Sequence, residues 1–307
     1  MEKNFQTCCA VALILIINLS ACVSPLHNIR RGESQRVDAG GHHLHMLIAG
    51  SGNSTVVLES GLGDTMESWA KVQPEVAKFS QVVAYDRAGL GQSEPGPKPR
   101  TAHQIANELH TALRNAGLAP PYVLVGHSAG GLYIRVFASM YPNEVAGMVF
   151  VDSTPEDFFE RLKAIQTPEE QKKFEEKMQD YAARASGGRR DEWASLDVDL
   201  QQVRAALPLP KVPIILLTGM GNEPDKSPEA KQLWLRLHNE WLKQLPNAQH
   251  IIADNSGHYI QADEPGLVID AIRRVIGRVR ANHDASNKSF EQTARLPACH
   301  QSSFDAH

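Results

Sequence analysis

The pentapeptide Gly126-His127-Ser128-Ala129-Gly130 constrains the fold of this chain more than any other stretch. It follows the apolar run 122–125, which is typical of a buried strand, and precedes 132–140, whose apolar residues fit a helix. A serine on the tight turn between such a strand and helix adopts a strained backbone conformation with its hydroxyl exposed. Glycines at both ends let the two backbones approach closely, because neither carries a Cβ atom. The pattern therefore predicts that Ser128 is a nucleophile.

Length and charge narrow the class of protein. With 307 residues, 42% of them hydrophobic and 21% charged, the chain can bury a large core and fits one α/β domain with an insertion. The net charge is −4, and lysines and arginines are interspersed with acids, so the sequence predicts no basic surface for nucleic acid. We therefore expect no nucleic-acid partner.

Residues 1–22 have the pattern of an export signal. Lys3 is followed by the apolar run 10–17, which is too short to span a bilayer but has the length of a signal-peptide core. The next residues, Leu19-Ser20-Ala21-Cys22, resemble the lipobox of bacterial lipoproteins, in which the cysteine is lipidated after cleavage. We therefore expect a lipoprotein signal peptide, with Cys22 as the lipidated residue. Val23 favours the outer membrane, so the protein is predicted on the periplasmic side, attached to the membrane only through its lipid.

The glycine-rich loop 59–64 follows a short apolar run, 55–58, that predicts a buried strand. A backbone N–H of such a loop commonly stabilises the oxyanion that forms during acyl transfer. The position after Gly61 makes Leu62 the predicted donor. Ala129, directly after the nucleophile, is predicted to supply the second N–H of this oxyanion hole.

Two other features of the first half are less specific. Trp69 begins the helix after the glycine-rich loop, and it is predicted either as a core residue or as a wall of the substrate pocket. Asp86 and Arg87 follow the strand-like run 81–85 and precede two glycines. This indicates a charged pair that fixes a tight turn rather than a catalytic role.

The composition changes near residue 155. Residues 155–210 are rich in Glu, Lys, Gln and Arg, contain no strand-like run and interrupt an alternation of strands and helices that resumes at 212–217. We predict a helical cap at 155–210, inserted between core segments 23–154 and 211–281, over the sheet edge where ligands bind. A solvated helical decoration is the alternative. The polar segment 282–307 is predicted to be a disordered tail.

A serine nucleophile needs a base within hydrogen-bond reach, and the base needs a third group that orients it. Among the 13 histidines, only His258 follows the last predicted strand, on a loop with a preceding glycine. It also gives the order serine, acid, histidine that accompanies such an elbow. His127 cannot easily reach the hydroxyl of its neighbour and is predicted to line the pocket.

The acid has two candidates. Asp152 ends the apolar run 145–151, and a rigid strand positions a buried carboxylate better than a mobile loop does. The alternative is Asp225, in the loop after the strand that ends at Thr218-Gly219, which is the usual place for this acid. We favour Asp152.

Four motifs together resemble the α/β-hydrolase superfamily, and the resemblance covers residues 36 to 280. They are Ser60-Gly61-Leu62-Gly63, Tyr85-Asp86-Arg87-Ala88-Gly89, Gly126-His127-Ser128-Ala129-Gly130-Gly131 and Ser256-Gly257-His258. The resemblance implies an α/β-hydrolase fold, with a mostly parallel eight-stranded sheet flanked by helices and an inserted helical cap. It also implies a carboxylic-ester hydrolase that uses no metal and no cofactor. Ser60 departs from the pattern, since many relatives have histidine there.

More narrowly, the chain resembles esterases carried on mobile integron cassettes, because residues 287–295 are similar to a reading frame that runs into a cassette recombination site. Such esterases include enzymes that open the lactone of macrolide antibiotics, which implies a small-molecule ester or lactone as the partner. Haloalkane dehalogenases and epoxide hydrolases have aspartate where Ser128 stands, so both are set aside. A small-ester carboxylesterase, a peptidase, a carbon–carbon bond hydrolase and a non-catalytic ligand-binding or sensor protein stay open. The sequence predicts no oligomeric state.

Overall fold

The structure, a computed structural model, describes residues 32–223, 226–245 and 248–294. The predicted signal peptide, Cys22 and Asp225 lie outside the described residues, as does the end of the predicted tail.

The core is one eight-stranded sheet. Its strands are β1 Glu33–Asp38, β2 His43–Ala49, β3 Thr55–Glu59, β4 Gln81–Tyr85, β5 Tyr122–His127, β6 Val145–Val151, β7 Ile214–Gly219 and β8 Ala248–Ala253. The strands lie in the order β1-β2-β4-β3-β5-β6-β7-β8. β2 is antiparallel to both β1 and β4, and the remaining pairs are parallel. The predicted eight-stranded, mostly parallel sheet is thus confirmed.

Helices cover both faces of this sheet. They are α1 Gln73–Val76, α2 Ala102–Asn115, α3 Gly130–Met140, α4 Phe158–Ile165, α5 Pro168–Arg184, α6 Gly187–Ala205, α7 Pro228–Leu242, α8 Ile260–Asp263 and α9 Pro265–Ala294. Side chains of β6 alternate between the two cores: Met148 and Phe150 pack with α2 and α3, and Val149 and Val151 pack with α1 and α9. Burial on both faces explains why this strand reads as a continuous apolar run.

The carboxyl ends of the parallel strands meet at one edge of the sheet. Ser128 follows β5, Asp152 follows β6, and the loop with His258 follows β8. Ligands of open α/β sheets bind in the crevice at this edge. The topology therefore brings together three side chains that are far apart along the chain.

The cap segment consists of α4, α5 and α6, between β6 and β7. α6 packs on α2 and α3, and its buried face is unusually polar, because Glu192, Ser195 and Asp199 all lie inside. α4 contacts α7, where Arg161 pairs with Glu240. The cap is thus joined to the core through charged as well as apolar contacts.

α9 is longer than the sequence predicts. The pattern of Val268, Ile272 and Val275 ends near residue 281, and a disordered tail was predicted from 282 onward. In the structure the helix continues to Ala294. Residues 281–285 are exposed, so the first part of this extension has no buried apolar face that the hydrophobic pattern could detect.

Candidate active site

Ser128 occupies a strained turn between β5 and α3. Its φ of 53° lies in the left-handed region, which a residue with a side chain rarely adopts. Only glycine fits at the two flanking positions. A Cβ on Gly126 would lie 2.6 Å from the carbonyl oxygen of Gly130, and a Cβ on Gly130 would lie 2.5 Å from the carbonyl oxygen of Glu59. The turn is therefore tight on both sides and presents the serine Oγ outward.

His258 joins Ser128 to Asp152. Its Nε2 lies 2.9 Å from Ser128 Oγ, and its Nδ1 lies 2.7 Å from Asp152 Oδ2. When Nδ1 carries the proton and donates to the carboxylate, Nε2 is free to accept the proton of the serine hydroxyl. The arrangement can move a proton from serine to histidine while the carboxylate holds the ring.

Asp152 is fully buried and held from two sides. Its Oδ1 accepts hydrogen bonds of 3.0 Å from the backbone N–H of Gly219 and from Trp234 Nε1. Burial alone would raise the pKa of Asp152, but the hydrogen bond and the charge of His258 outweigh it and lower that pKa to about 2. The carboxylate of Asp152 is thus ionised at neutral pH. The other acid candidate, Asp225, lies outside the described residues.

Leu62 and Ala129 are the two predicted donors of the oxyanion hole. Both residues line the same cavity as Ser128. The loop passes close by, since a Cβ on Gly61 would lie 3.3 Å from Ser128 Cβ. Among the hydrogen bonds of the described chain, neither of these two N–H groups is a donor. Two backbone donors near the nucleophile are therefore free to bind an oxyanion.

Ser60, at the position where histidine is common, supports the loop from within. Its Oγ donates to the carbonyl of Thr65 at 2.9 Å and lies 3.0 Å from Ser68 Oγ. The loop is therefore braced by hydroxyl contacts.

His127 lies behind His258 and is inaccessible to solvent. Its Nε2 donates to the carbonyl oxygen of His258 at 2.9 Å. Burial lowers the pKa of His127 to about 3, so this ring is neutral and does not compete as a base. It forms part of the cavity wall, where it fixes the backbone of the loop that carries His258.

The cavity over Ser128 has a volume of about 190 Å³. Core and cap both contribute to its wall. The cap provides four side chains: Phe159, Tyr181, Trp193 and Leu196. Asp64 and Tyr259 lie on the core side. The cap therefore shapes the space in which a substrate would lie.

Trp69 does not belong to this cavity. Its side chain is fully buried on the face of the sheet that α1 and α9 cover, in the core that contains Val56, Val72 and Ile272. The proposed role as a pocket wall is thus wrong, and Trp69 is a core residue. A single tryptophan at a helix start carries no sequence signal that separates the two roles.

Asp86 and Arg87 act separately. Asp86 accepts hydrogen bonds from the backbone N–H groups of Met66 and Gln92, and so fixes the turn as predicted. Arg87 points elsewhere, between Glu59 and Glu192. The predicted charged pair is therefore replaced by an ion cluster that reaches from the core into the cap.

Two contributors to this region have no sequence signature. Trp234 on α7 supports Asp152, and Glu192 on α6 binds Arg87. Trp234 fits the apolar face of a helix, and Glu192 lies in a segment so rich in charge that it resembles a solvated surface. Neither residue stands out before the fold is known.

The described residues contain no group of three or more His, Cys, Asp or Glu side chains arranged to hold a metal ion. Within the same residues, every helix is too short or too polar to cross a bilayer.

Comparison with protein-family models gives a match over residues 54–189 to the family described as alpha/beta hydrolase fold. An uncharacterized protein of Bacillus subtilis, YqjL, is 31% identical over 225 residues, which cover 73% of this chain and 83% of the relative. A protein of Gibberella zeae described as an AB hydrolase superfamily protein is 36% identical over 110 residues, but these cover only 34% of each chain. The similarity to YqjL thus extends over most of both proteins.

Solved structures with the same fold have diverse activities. An esterase from Thermogutta terrifontis aligns with a TM-score of 0.55 at 18% identity, covering 80% of this chain and 99% of the esterase. The haloalkane dehalogenase DatA from Agrobacterium tumefaciens aligns with a TM-score of 0.56 at 18% identity, covering 80% and 97%. At this identity the likeness shows the fold alone, and the chemistry must be inferred from the site.

Proposed function

Because this chain belongs to the α/β-hydrolase family, we propose that it hydrolyses carboxylic esters through an acyl-enzyme on Ser128. His258 is the proposed general base and Asp152 the acid that orients it. The observation that carries this proposal is the unbroken line of contacts from Ser128 Oγ through the His258 ring to Asp152 Oδ2, at 2.9 and 2.7 Å. Such a line is the arrangement that converts a weakly nucleophilic hydroxyl into an attacking group.

The proposed reaction has two halves. Ser128 Oγ attacks the carbonyl carbon while its proton passes to His258 Nε2, and the oxygen that becomes negative is bound by the N–H groups of Leu62 and Ala129. The intermediate collapses, the bond to the alcohol oxygen breaks, and His258 gives its proton to the leaving alcohol. A water molecule then attacks the acyl-enzyme with His258 as base, which releases the carboxylic acid and restores the serine hydroxyl.

Asp152 has an electrostatic role in this scheme. Its low pKa keeps it ionised, and it stabilises the imidazolium of His258 without taking the proton itself. The buried N–H donors of Trp234 and Gly219 hold the carboxylate in place for this purpose.

The nature of the nucleophile separates this proposal from the other chemistries of the fold. Haloalkane dehalogenase and epoxide hydrolase reactions use an aspartate at the elbow. Here the elbow holds Ser128, whose Oγ lies within hydrogen-bond reach of a histidine. An ester or lactone carbonyl is therefore the favoured electrophile.

The cavity volume bears on the size of the substrate. Ligand pockets usually measure about 300–1,000 Å³, whereas the space over Ser128 measures about 190 Å³. A short acyl chain fits with the cap helices where they are. The large-ring macrolide lactone that the resemblance implies requires α5 and α6 to move outward, because Tyr181 and Trp193 close the cavity on that side. We therefore propose small esters as the first substrates to test.

The test is turnover of p-nitrophenyl acetate and butyrate by the purified protein, followed by labelling with a fluorophosphonate. We expect a burst of p-nitrophenol, and mass spectrometry should locate one phosphonyl group on Ser128. Ser128→Ala should lose both.

Mass analysis after incubation with tylosin tests the lactone, since ring opening adds one water. If no ester or lactone is turned over, the ester-hydrolase proposal is wrong, and a peptidase, a carbon–carbon bond hydrolase and a ligand-binding or sensor protein are the alternatives left.

Export as a lipoprotein is a separate proposal that depends on residues 1–22. In a Gram-negative host the protein should incorporate labelled palmitate, and Cys22→Ala should not. Equal labelling of the two forms would contradict lipidation at Cys22.

A further inference from the structure

A buried cluster of charges lies directly beneath the glycine-rich loop. Arg87 has Glu59 on one side at 2.6 Å and Glu192 on the other at 2.7 Å, and all three side chains are at most 1% exposed. Tyr85 donates its hydroxyl hydrogen to the second oxygen of Glu59. Burying ions is costly, and such clusters are weak contributors to stability. This cluster therefore calls for a role other than stability.

Every N–H group of the Arg87 side chain has an acceptor. Nε and Nη2 donate to Glu192 at 2.7 and 2.9 Å, and Nη1 donates to Glu59 at 2.6 Å. The two remaining N–H groups reach the main chain, where Nη1 donates to the carbonyl of Ser60 at 2.8 Å and Nη2 to that of Gly61 at 2.6 Å. A guanidinium has five N–H groups in a rigid plane, so its orientation is fully determined.

This orientation sets the direction of the Leu62 N–H. The carbonyl of Gly61 and the N–H of Leu62 belong to one planar peptide group, and in the trans form they point in opposite directions. The only cis peptides of the described chain precede proline, so this group is trans. The Gly61 carbonyl accepts from Arg87 Nη2 and from the N–H of Asp64 at 3.0 Å, so the Leu62 N–H points away from both donors. Leu62 itself lines the cavity over Ser128.

The cap holds the next two peptide groups of the same loop. Glu192 Oε2 accepts a hydrogen bond of 2.8 Å from the N–H of Gly63. Arg189, also on α6, donates to the carbonyl oxygen of Gly63 at 2.9 Å. The start of this helix also touches the core directly, because the N–H of Gly188 donates to the carbonyl of Gly89 at 3.1 Å.

We propose that Arg87 and the two α6 residues Glu192 and Arg189 are positioning residues of the oxyanion hole, which hold the Leu62 N–H toward the negative oxygen that forms during acyl transfer. The cap helix α6 is then part of the catalytic support as well as a lid. This inference rests on the proposed serine mechanism and goes beyond it, because it assigns the geometry of one donor to residues of the cap.

The direct test is Glu192→Gln. Arg87 keeps Glu59 as its counter-ion, so the buried charge stays compensated and the fold should survive. The glutamine amide replaces one acceptor by a donor, so it cannot accept from Arg87 Nε, Arg87 Nη2 and the Gly63 N–H together, as Glu192 does. Loss of one oxyanion donor lowers kcat by about 10²-fold or more. Partial misalignment should therefore lower kcat about tenfold, with KM changed less than about twofold.

A transition-state analogue separates positioning from general damage. An alkyl trifluoromethyl ketone forms a hemiketal with the serine, and its oxyanion occupies the hole. Its Ki should rise by the same factor as kcat/KM falls, whereas the affinity for the matching trifluoromethyl carbinol, which has no oxyanion, should stay the same. Asp199→Asn is the matched control, because Asp199 is a buried acid of the same helix that accepts the N–H of Ala102 and does not touch the loop.

The outcomes are distinct. Unchanged kcat and Ki in Glu192→Gln overturn the inference, and so does a fall in kcat without a parallel rise in Ki. If Glu192→Gln does not fold, Arg189→Met is judged by the same two criteria, because Arg189 is exposed and its loss leaves no buried charge. Turnover that persists in Ser128→Ala would instead refute the serine mechanism itself.

Discussion

Ser128 Oγ and His258 Nε2 lie 2.9 Å apart, although 130 residues separate them along the chain. Two strands of the parallel sheet, β5 and β8, deliver them to the same edge. The contact is the first link of the proposed proton transfer, and Asp152 forms the second. Residues that act as a unit in this way lose their function together.

The first prediction is that the serine and the histidine are not additive. Ser128→Ala and His258→Ala should each lower kcat for p-nitrophenyl butyrate by about 10⁶-fold, and the double variant should be no slower than either. The physical reason is that each group is of no use to the reaction without the other. Steady-state kinetics of the three variants measures this, and losses that multiply would show that the two residues act independently.

The second prediction concerns the acid. Asp152→Asn should lower kcat by about 10⁴-fold, because an amide does not hold His258 in the tautomer that leaves Nε2 free to accept a proton. Asp225→Asn, the alternative predicted from the sequence, should change kcat by less than about threefold, since Asp152 already occupies His258 Nδ1. Kinetics of both variants decides between them, and the reverse result would assign the role to Asp225.

The third prediction concerns the support of Asp152. Trp234→Phe removes the Nε1 donor from Asp152 Oδ1 and leaves the Gly219 N–H in place. A hydrogen bond to a charged group contributes about 1.5 kcal/mol or more, which corresponds to about tenfold in rate. We therefore expect kcat to fall about tenfold.

Trp241→Phe is the control for this change. Trp241 is a buried tryptophan that packs edge-on against Phe150, and its Nε1 has no hydrogen-bond partner among the described residues. Replacing it removes similar ring volume without removing a hydrogen bond. Equal effects of the two substitutions on kcat would mean that packing, and not the hydrogen bond, explains the loss.

The parts of the fold that could be predicted are those with local signals. The strand, turn and helix around Ser128 follow from an apolar run and from two glycines at positions where any Cβ atom would collide with the backbone. The position of Asp152 follows from the end of a buried strand, and that of His258 from the order of the strands. These signals depend on neighbours in sequence or on simple topology, so one sequence is enough to read them.

The contacts that could not be predicted join distant segments through polar groups. Glu192 and Arg87 are 105 residues apart, and nothing in the composition of α6 separates its buried acids from its solvated ones. Hydrophobic periodicity locates the inward face of a helix only when that face is apolar. The inner face of α6 contains Glu192, Ser195 and Asp199. Hydrophobic periodicity therefore does not distinguish the inner face of this helix from its outer face.

The buried face of α6 also contains the group behind the fourth prediction. Asp199 is fully buried; its Oδ1 accepts a hydrogen bond of 2.6 Å from the N–H of Ala102, and its Oδ2 has no partner among the described residues. Burial raises the pKa of Asp199 from 3.8 to about 7. An ionised carboxylate is thus disfavoured at this position in the folded protein.

The contribution of Asp199 to stability should therefore fall as the pH rises from about 4 to 7. In that window the folded protein holds a proton on Asp199 that the unfolded chain has already released, and one such proton changes the free energy of unfolding by up to about 1.4 kcal/mol per pH unit. Asp199→Asn keeps an oxygen for the Ala102 N–H and cannot ionise. Urea unfolding should show the variant and the wild type close together at pH 4 and the variant more stable at pH 8. A stability difference that is the same at both pH values would contradict the raised pKa, because the asparagine removes only the ionisation.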